Sequence, residues 1–354
     1  MKNLFNLFAL TAVFALASCG NTDEPDPVDP GVSDVIANLE SGIMVGTLEE
    51  DYTLDASVQY DLNGPFLVAE GASLTIPAGT QIIADDGGTE VYIAVLKGAD
   101  IFINGNPSNP VIMSSASGDS GDWGGLTICG DATTSAGVDA TAEVGGFFYG
   151  GTNDADDSGH IKYLVIKGTG AQINSESQYN GISFYAVGNQ TEVEYVSVIN
   201  GADDGVEFFG GTVSVSNLYL ENNDDDSIDW TESWSGGVTN AYITHSVPGF
   251  STVFEGDKEN ANPTFTNITA ISTVEGTALQ FKKESGGNIT GLYLEGYAVD
   301  LDMKDGGALS NVQIDGQDPD ATLIDGETSK YTLNSGKDSP KVDISEWAWK
   351  DAGL

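Results

Sequence analysis

The sequence predicts an all-β protein, wound as a single-stranded right-handed parallel β-helix of about ten coils with covered ends. Three observations predict it. The first is internal repetition: when residues 194–208 are laid on residues 216–230, Val196 meets Leu218, Val198 meets Leu220 and Asn200 meets Asn222. At the same offset of 22 residues, Val206 meets Ile228, Glu207 meets Asp229 and Phe208 meets Trp230. The offset returns where Leu279, Phe281 and Lys282 fall on Leu301, Met303 and Lys304. The second observation is that each unit holds short alternating apolar strands broken by Gly, Asn and Asp, with no stretch of helical period between them. The third is composition: 45 glycines in 354 residues supply the turns such a chain needs. A repeat this short, without a crossover helix, fits one coil in which equivalent residues stack about 4.8 Å apart. Helical leucine-rich repeats share the period, but their Leu-x-x-Leu-x-Leu framework is missing.

Apolar segments at 66–68, 74–83, 93–98, 101–105 and 111–113 carry the ladder upstream, so the coils are expected over 64–316. Ten coils would make a rod roughly 50 Å long. A solenoid end exposes unpaired backbone, so residues 35–63 are expected to cap one end and 317–354, with Trp347 and Trp349, the other.

The first residues address compartment. Lys2 precedes a mostly apolar stretch over 4–17, too short for a permanent membrane helix of roughly 20 residues. Residues 1–18 therefore read as a signal peptide. Leu16-Ala17-Ser18-Cys19 resembles the lipobox of bacterial lipoproteins, which implies that Cys19 becomes an acylated N-terminus holding the protein to lipid. Residues 19–34 are acidic and rich in proline, as suits an extended tether. Acidic residues just after the lipid-bearing cysteine resemble the export signal of Bacteroidota lipoproteins and imply exposure on the outer membrane's outer face.

The formal net charge is −42, and none of the 12 basic residues is arginine. Nucleic acid and anionic lipid surfaces are poor partners on this ground, and divalent cations are the natural counterions. With Cys19 used as an anchor, Cys129 has no intramolecular partner and reads as a small buried hydrophobe. A monomer is expected.

The strings LTIPAGTQI, GDWGGLTICGDA and GADDGVEFFGG followed by NDDDSIDWTESW resemble a family of Bacteroidota β-helix lipoproteins over about residues 40–316. More distantly the chain looks like the pectate-lyase-like superfamily. That superfamily holds polysaccharide lyases, glycoside hydrolases, adhesins and tailspikes, so the resemblance implies a fold and not one activity.

The repeat stacks carboxylates. Val206 and Phe208 should point inward and Glu207 outward, with Ile228, Asp229 and Trp230 in the same parity, so Glu207 and Asp229 form an exposed ladder. Asp203 and Asp204 sit in the preceding turn on Asp225 and Asp226, with Asp224 beside them. Oxygen-only ligands at flexible spacing suit Ca²⁺, and Asp203, Asp204, Glu207, Asp225, Asp226 and Asp229 are its candidate ligands. The competing reading is that Asp and Asn serve as turn formers on a solvated edge.

An enzyme would need paired carboxylates about a glycosidic bond, or calcium with a basic group removing a proton α to a uronate carboxyl. Asn223-Asp224-Asp225-Asp226 looks faintly like the Asp-pair motif of β-helix polygalacturonases, but their Gly-His-Gly and Arg-x-Lys motifs are missing. Lys282 and Lys304 are candidate bases or ligand contacts, expected two or more coils from the ladder. A Lys or His close to the ladder would favour an enzyme over a binding protein or an adhesive spacer. His160 and His245 read as satisfied structural residues. Residues 154–159 open like a calcium loop, but Val165 stands where an EF-hand needs Glu. Among Trp123, Tyr149, Trp230 and Trp234, the first two are possible sugar platforms and Trp230 belongs to the core. Trp234, stacked on Thr212 by the offset, is the best candidate for an exposed platform for polysaccharide.

Overall fold

The structure is a computed structural model that describes residues 35–353 apart from 176, 260, 305–311, 317–330 and 335–338. The expected signal peptide, the expected tether and Cys19 lie outside the described residues. Parallel pairing winds the chain into a right-handed β-helix with three stacked sheets. In the coil that carries Glu207, the second half of Glu192–Ile199 lies in the first sheet, Val206–Phe209 in the second and the start of Ser214–Glu221 in the third. Among the described residues, the second sheet runs through ten rungs from Gly46 to Asp302. The outward position on successive rungs reads Ala94, Thr127, Ser183, Glu207, Asp229, Glu255, Gln280 and Asp302.

Alternation decides which side chains form the core. Along Gln59–Val68, Tyr60, Leu62, Phe66 and Val68 are buried between more exposed neighbours. On the second sheet Phe184 stacks over Phe208 with ring centroids 5.2 Å apart, and Trp230 meets Phe254 and Phe281 further along. Trp230 is core, as its parity requires.

Continuous strands bend from the third sheet into the first at one left-handed residue per coil. Tyr163, Tyr195, Asn217, Asn240 and Asn267 all have φ between 53° and 59° there. Asparagine tolerates this conformation better than most residues and adds a ladder of its own. Asn267 donates to Asn240 and Asn240 to Asn217, each at 3.2 Å.

The ends differ from the sequence expectation in two ways. Ile43–Leu48 already pairs in parallel with Gln59–Val68, so coiling begins near residue 43 and not 64. The cover is the short helix Val35–Glu40, which places Leu39 in the core with Val35 and Ile36 packed against it. The C-terminal tryptophans do not cap the far end. Trp347 and Trp349 lie on the flank of the first sheet, against Val165, Ile199 and Tyr219. Trp349 meets the stacked Tyr163 and Tyr195 edge-on, and the Lys350 carbonyl accepts from Ser197. Outward aromatics on that sheet gave the tail an apolar surface to cover.

Between Cys129 and Gly159 the chain leaves the coil as an arm. Its Ala142, Val144 and Tyr149 cover the outward side chains of Cys129, Tyr185 and Phe209 on the second sheet. Cys129 is fully buried, and burial pushes its thiol up to about 12, so it packs as a hydrophobe.

Candidate functional site

The carboxylates gather where the first sheet turns into the second. Gly201 and Gly205 make this corner tight, because a Cβ on Gly205 would lie 2.7 Å from the Ser227 carbonyl of the next coil. Asp204 and Asp226 are stacked by it, and the Asp204 carboxylate accepts from the Asp226 backbone N–H at 2.9 Å. Glu207, Asp229 and Glu255 follow on the outer face of three successive rungs.

Three overlapping groups bring their oxygens within 4.8 Å of one another: Asp203, Asp204 and Asp225; Asp204, Glu207 and Asp229; Asp226, Asp229 and Glu255. Each group could hold a metal ion. The first two share Asp204, the last two share Asp229, and all six residues expected to be calcium ligands fall in one or another. Glu255 joins them although the sequence reading missed it. The coil from Asp229 to Glu255 spans 26 residues where the one from Glu207 to Asp229 spans 22, so a fixed offset passes it by. The signal that finds it is local: an acid directly after an inward apolar residue, Phe254-Glu255, as in Ile228-Asp229 and Val206-Glu207.

The ladder is not exposed as expected. Glu207 and Glu255 are 8% and 7% accessible, and Asp203, Asp204 and Asp226 are buried with them. Neighbouring coils and residues 178–180 close over it. Asn180 donates to Glu207 at 2.7 Å, Gln178 to Asp203 at 2.5 Å and Thr252 to Asp226 at 2.5 Å. Parity along a strand says which side chains leave the core, but says nothing of what covers them from outside.

Burial dominates the electrostatics. It pushes Asp203 up to about 8, with the Asp225 charge adding to it. Burial first, then the charges of Asp229 and Glu207, hold Asp204 well above the usual carboxylate range. Glu207 is raised by burial and Asp229, and Asp226 and Asp229 by burial and Glu255. At an effective dielectric of ~20, two charges at such separations repel by about 3 kcal/mol. Hydrogen bonding leaves two carboxylate oxygens over: Asp229 Oδ1 and Glu255 Oε1 are buried without a donor. An oxygen in that state costs about 1–3 kcal/mol, a deficit that a proton or a cation would remove. Oxygen donors alone, from side chains on separate coils, match a hard divalent ion.

Lys282 lies two rungs from Asp229, as expected, but Glu255 extends the ladder to it: its Nζ lies 2.5 Å from Glu255 Oε2 on the rung between. Burial works to lower this ammonium's pKa, but the Glu255 contact and the charges of Asp226 and Asp229 outweigh it, and the net shift is upward. Lys304 is exposed one coil further on.

None of the three aromatics expected as sugar platforms is exposed. Trp234 is fully buried, its ring stacked on Phe208 at 4.0 Å and its Nε1 donating to the Val213 carbonyl. The cause is one extra residue. Residues 210–213 join the second and third sheets in one coil and 232–236 in the next, so Trp234 fills the inward place that Val213 takes below. Trp123 is buried and donates to the Lys167 carbonyl, and Tyr149 is buried with its hydroxyl on Glu232. The 154–159 segment is not a calcium loop. Asp154 accepts from Thr133 N–H, Asp156 from Gly188 N–H and Asp157 from Gly159 N–H, so these carboxylates fasten backbone. His160 contacts Asn104, and buried His245, its pKa lowered by burial to about 4, stacks on Phe250.

The three-sheet coil with its carboxylate-lined corner defines a parallel β-helix protein. The family model described as the Pectate-lyase like beta helix domain matches residues 46–347, and the chain belongs to that family. No curated protein and no solved structure matches it.

Proposed function

We propose that the chain is a surface lipoprotein that binds extracellular glycan and holds Ca²⁺ along the carboxylate ladder. The observation that carries this reading is the set of buried carboxylates on adjacent coils with Asp229 Oδ1 and Glu255 Oε1 left without donors. Calcium would satisfy both, offset the repulsion and tie together coils that the turns alone would hold less firmly. Membership of the Pectate-lyase like beta helix domain family fits a carbohydrate-binding or lyase-like role. A glycan array probed with the mature chain in millimolar calcium and in EDTA tests the reading. Binding to a subset of glycans, weakened in EDTA, is expected, and no binding in either buffer would overturn it.

The anchor rests on Cys19 in its lipobox-like setting. Cys19→Ala is expected to release the protein from the outer-membrane fraction, and a variant that stays lipid-bound would remove the anchor from the account.

A calcium-dependent polysaccharide lyase is the second reading, favoured by one observation: Lys282 lies beside the ladder. Against it, Lys282 is paired with Glu255 and held protonated, whereas a general base must be free to accept a proton. A Lys282→Ala, Lys304→Ala double variant is therefore expected to keep its glycan binding. Uronate cleavage by the wild type that disappears in this variant would establish the lyase instead.

A further inference from the structure

The arm between Cys129 and Gly159 builds a second feature, away from the carboxylate ladder. Ala140–Thr141 pairs antiparallel with Phe148–Tyr149. Tyr149 points inward, its ring tilted against Tyr185 with centroids 4.9 Å apart and its hydroxyl bonded to Glu232, so alternation turns Phe148 outward. Phe148 is 63% exposed, the most exposed aromatic among the described residues. It borders a cleft of about 930 Å³, with Phe147, Glu70, Lys97, Asp131 and Asp139 also on its walls. That volume is within the range of small-molecule sites.

The cleft is fixed before any ligand arrives. Lys97 Nζ is held by Asp131 at 2.9 Å, Asp139 at 2.8 Å and the Gly150 carbonyl at 2.7 Å, which ties the arm to the coil beneath it. Phe147 leans on Tyr92, itself stacked on Tyr179. With Lys97 matched by two aspartates, the remaining character is acidic: acceptors for hydroxyl donors and repulsion for anions. The Asp131 and Asp139 side chains are 41% and 66% accessible, so their free lone pairs face solvent. A flat apolar ring beside outward carboxylates suits a ligand with one apolar face and a rim of hydroxyls.

We infer that this cleft binds a neutral pyranose of a polysaccharide, its apolar face on Phe148 and its hydroxyls donating to Asp131 and Asp139. The inference rests on the glycan-binding reading and names the place and sugar class. It is tested by native electrophoresis of the mature chain through gels of laminarin, xyloglucan, galactomannan, chitosan and polygalacturonate. Retardation in a neutral gel and none in polygalacturonate is expected. Phe148→Ala should weaken that retardation at least tenfold, and Phe148→Trp, which keeps a ring, should restore it. Because Phe148 is exposed, both variants should melt as the wild type does. Neutral-gel retardation unchanged in Phe148→Ala would overturn the cleft while leaving glycan binding intact. Retardation only in polygalacturonate or only in chitosan would overturn the neutral sugar. Retardation in no gel would overturn this inference and, with a blank array, the reading beneath it.

Discussion

Glu207→Gln and Asp229→Asn, introduced together, are expected to raise the melting temperature in EDTA and to abolish most of the response to calcium. In the wild type both carboxyls are buried beside like charges, and each must take a proton or keep an unfavourable charge when no metal is present. The amides keep the shape and remove that choice. In the unfolded chain the carboxylates separate, so calcium acts on the folded state alone. At about 100 times its dissociation constant, an ion adds about 2.7 kcal/mol. For a domain of this size that is roughly 5 °C in melting temperature. The wild type should show that shift between EDTA and millimolar calcium, and the double variant little of it. Asp302→Asn, two rungs beyond Glu255 on the same face, should keep the full shift. Equal calcium shifts in wild type and double variant would place the ion elsewhere.

The second large effect is on pH. Raised carboxyl pKa values mean that the folded state binds protons the unfolded state has released. Stability from such a group is complete below the unfolded value near 4 and is lost as pH rises through the folded value, about 8 for Asp203. A group in that window contributes up to about 1.4 kcal/mol per pH unit, and because these carboxyls titrate together the loss between pH 5 and pH 8 belongs to the ladder as a whole. The metal-free protein is therefore expected to melt higher at pH 5 than at pH 8, the reverse of ordinary acid denaturation. Calcium displaces the protons, so its stabilisation should be small at pH 5 and large at pH 8. Melting curves in EDTA and in calcium across this range decide it. A metal-free protein that loses stability steadily on acidification would show the ladder to be ionised and solvated.

How much of this was legible in the sequence follows from what repeats. The coil, the inward place of Phe208 and Trp230 and the stacking of Asp204 on Asp226 all follow from one offset, because hydrogen-bonded rungs keep equivalent residues in register. Where the coil length changes, the offset misleads. One residue more in the turn hid Trp234 in the core, and four more in the coil concealed Glu255 and its contact with Lys282. Features that belong to no repeat gave no signal. The arm over Tyr185 and the strap of Trp347 and Trp349 are held by surfaces made only once the coils have stacked. That same lack of periodicity is why the ladder read as exposed and the Phe148 cleft was not foreseen.

Calorimetric titration of CaCl₂ into the EDTA-stripped mature chain at pH 8 decides whether these carboxylates hold calcium. Saturable binding is expected, with protons released into the buffer as Asp203 and its neighbours give up theirs, and with the signal lost in the Glu207→Gln, Asp229→Asn variant. Heat no greater than dilution, or the same binding isotherm in wild type and variant, would contradict it.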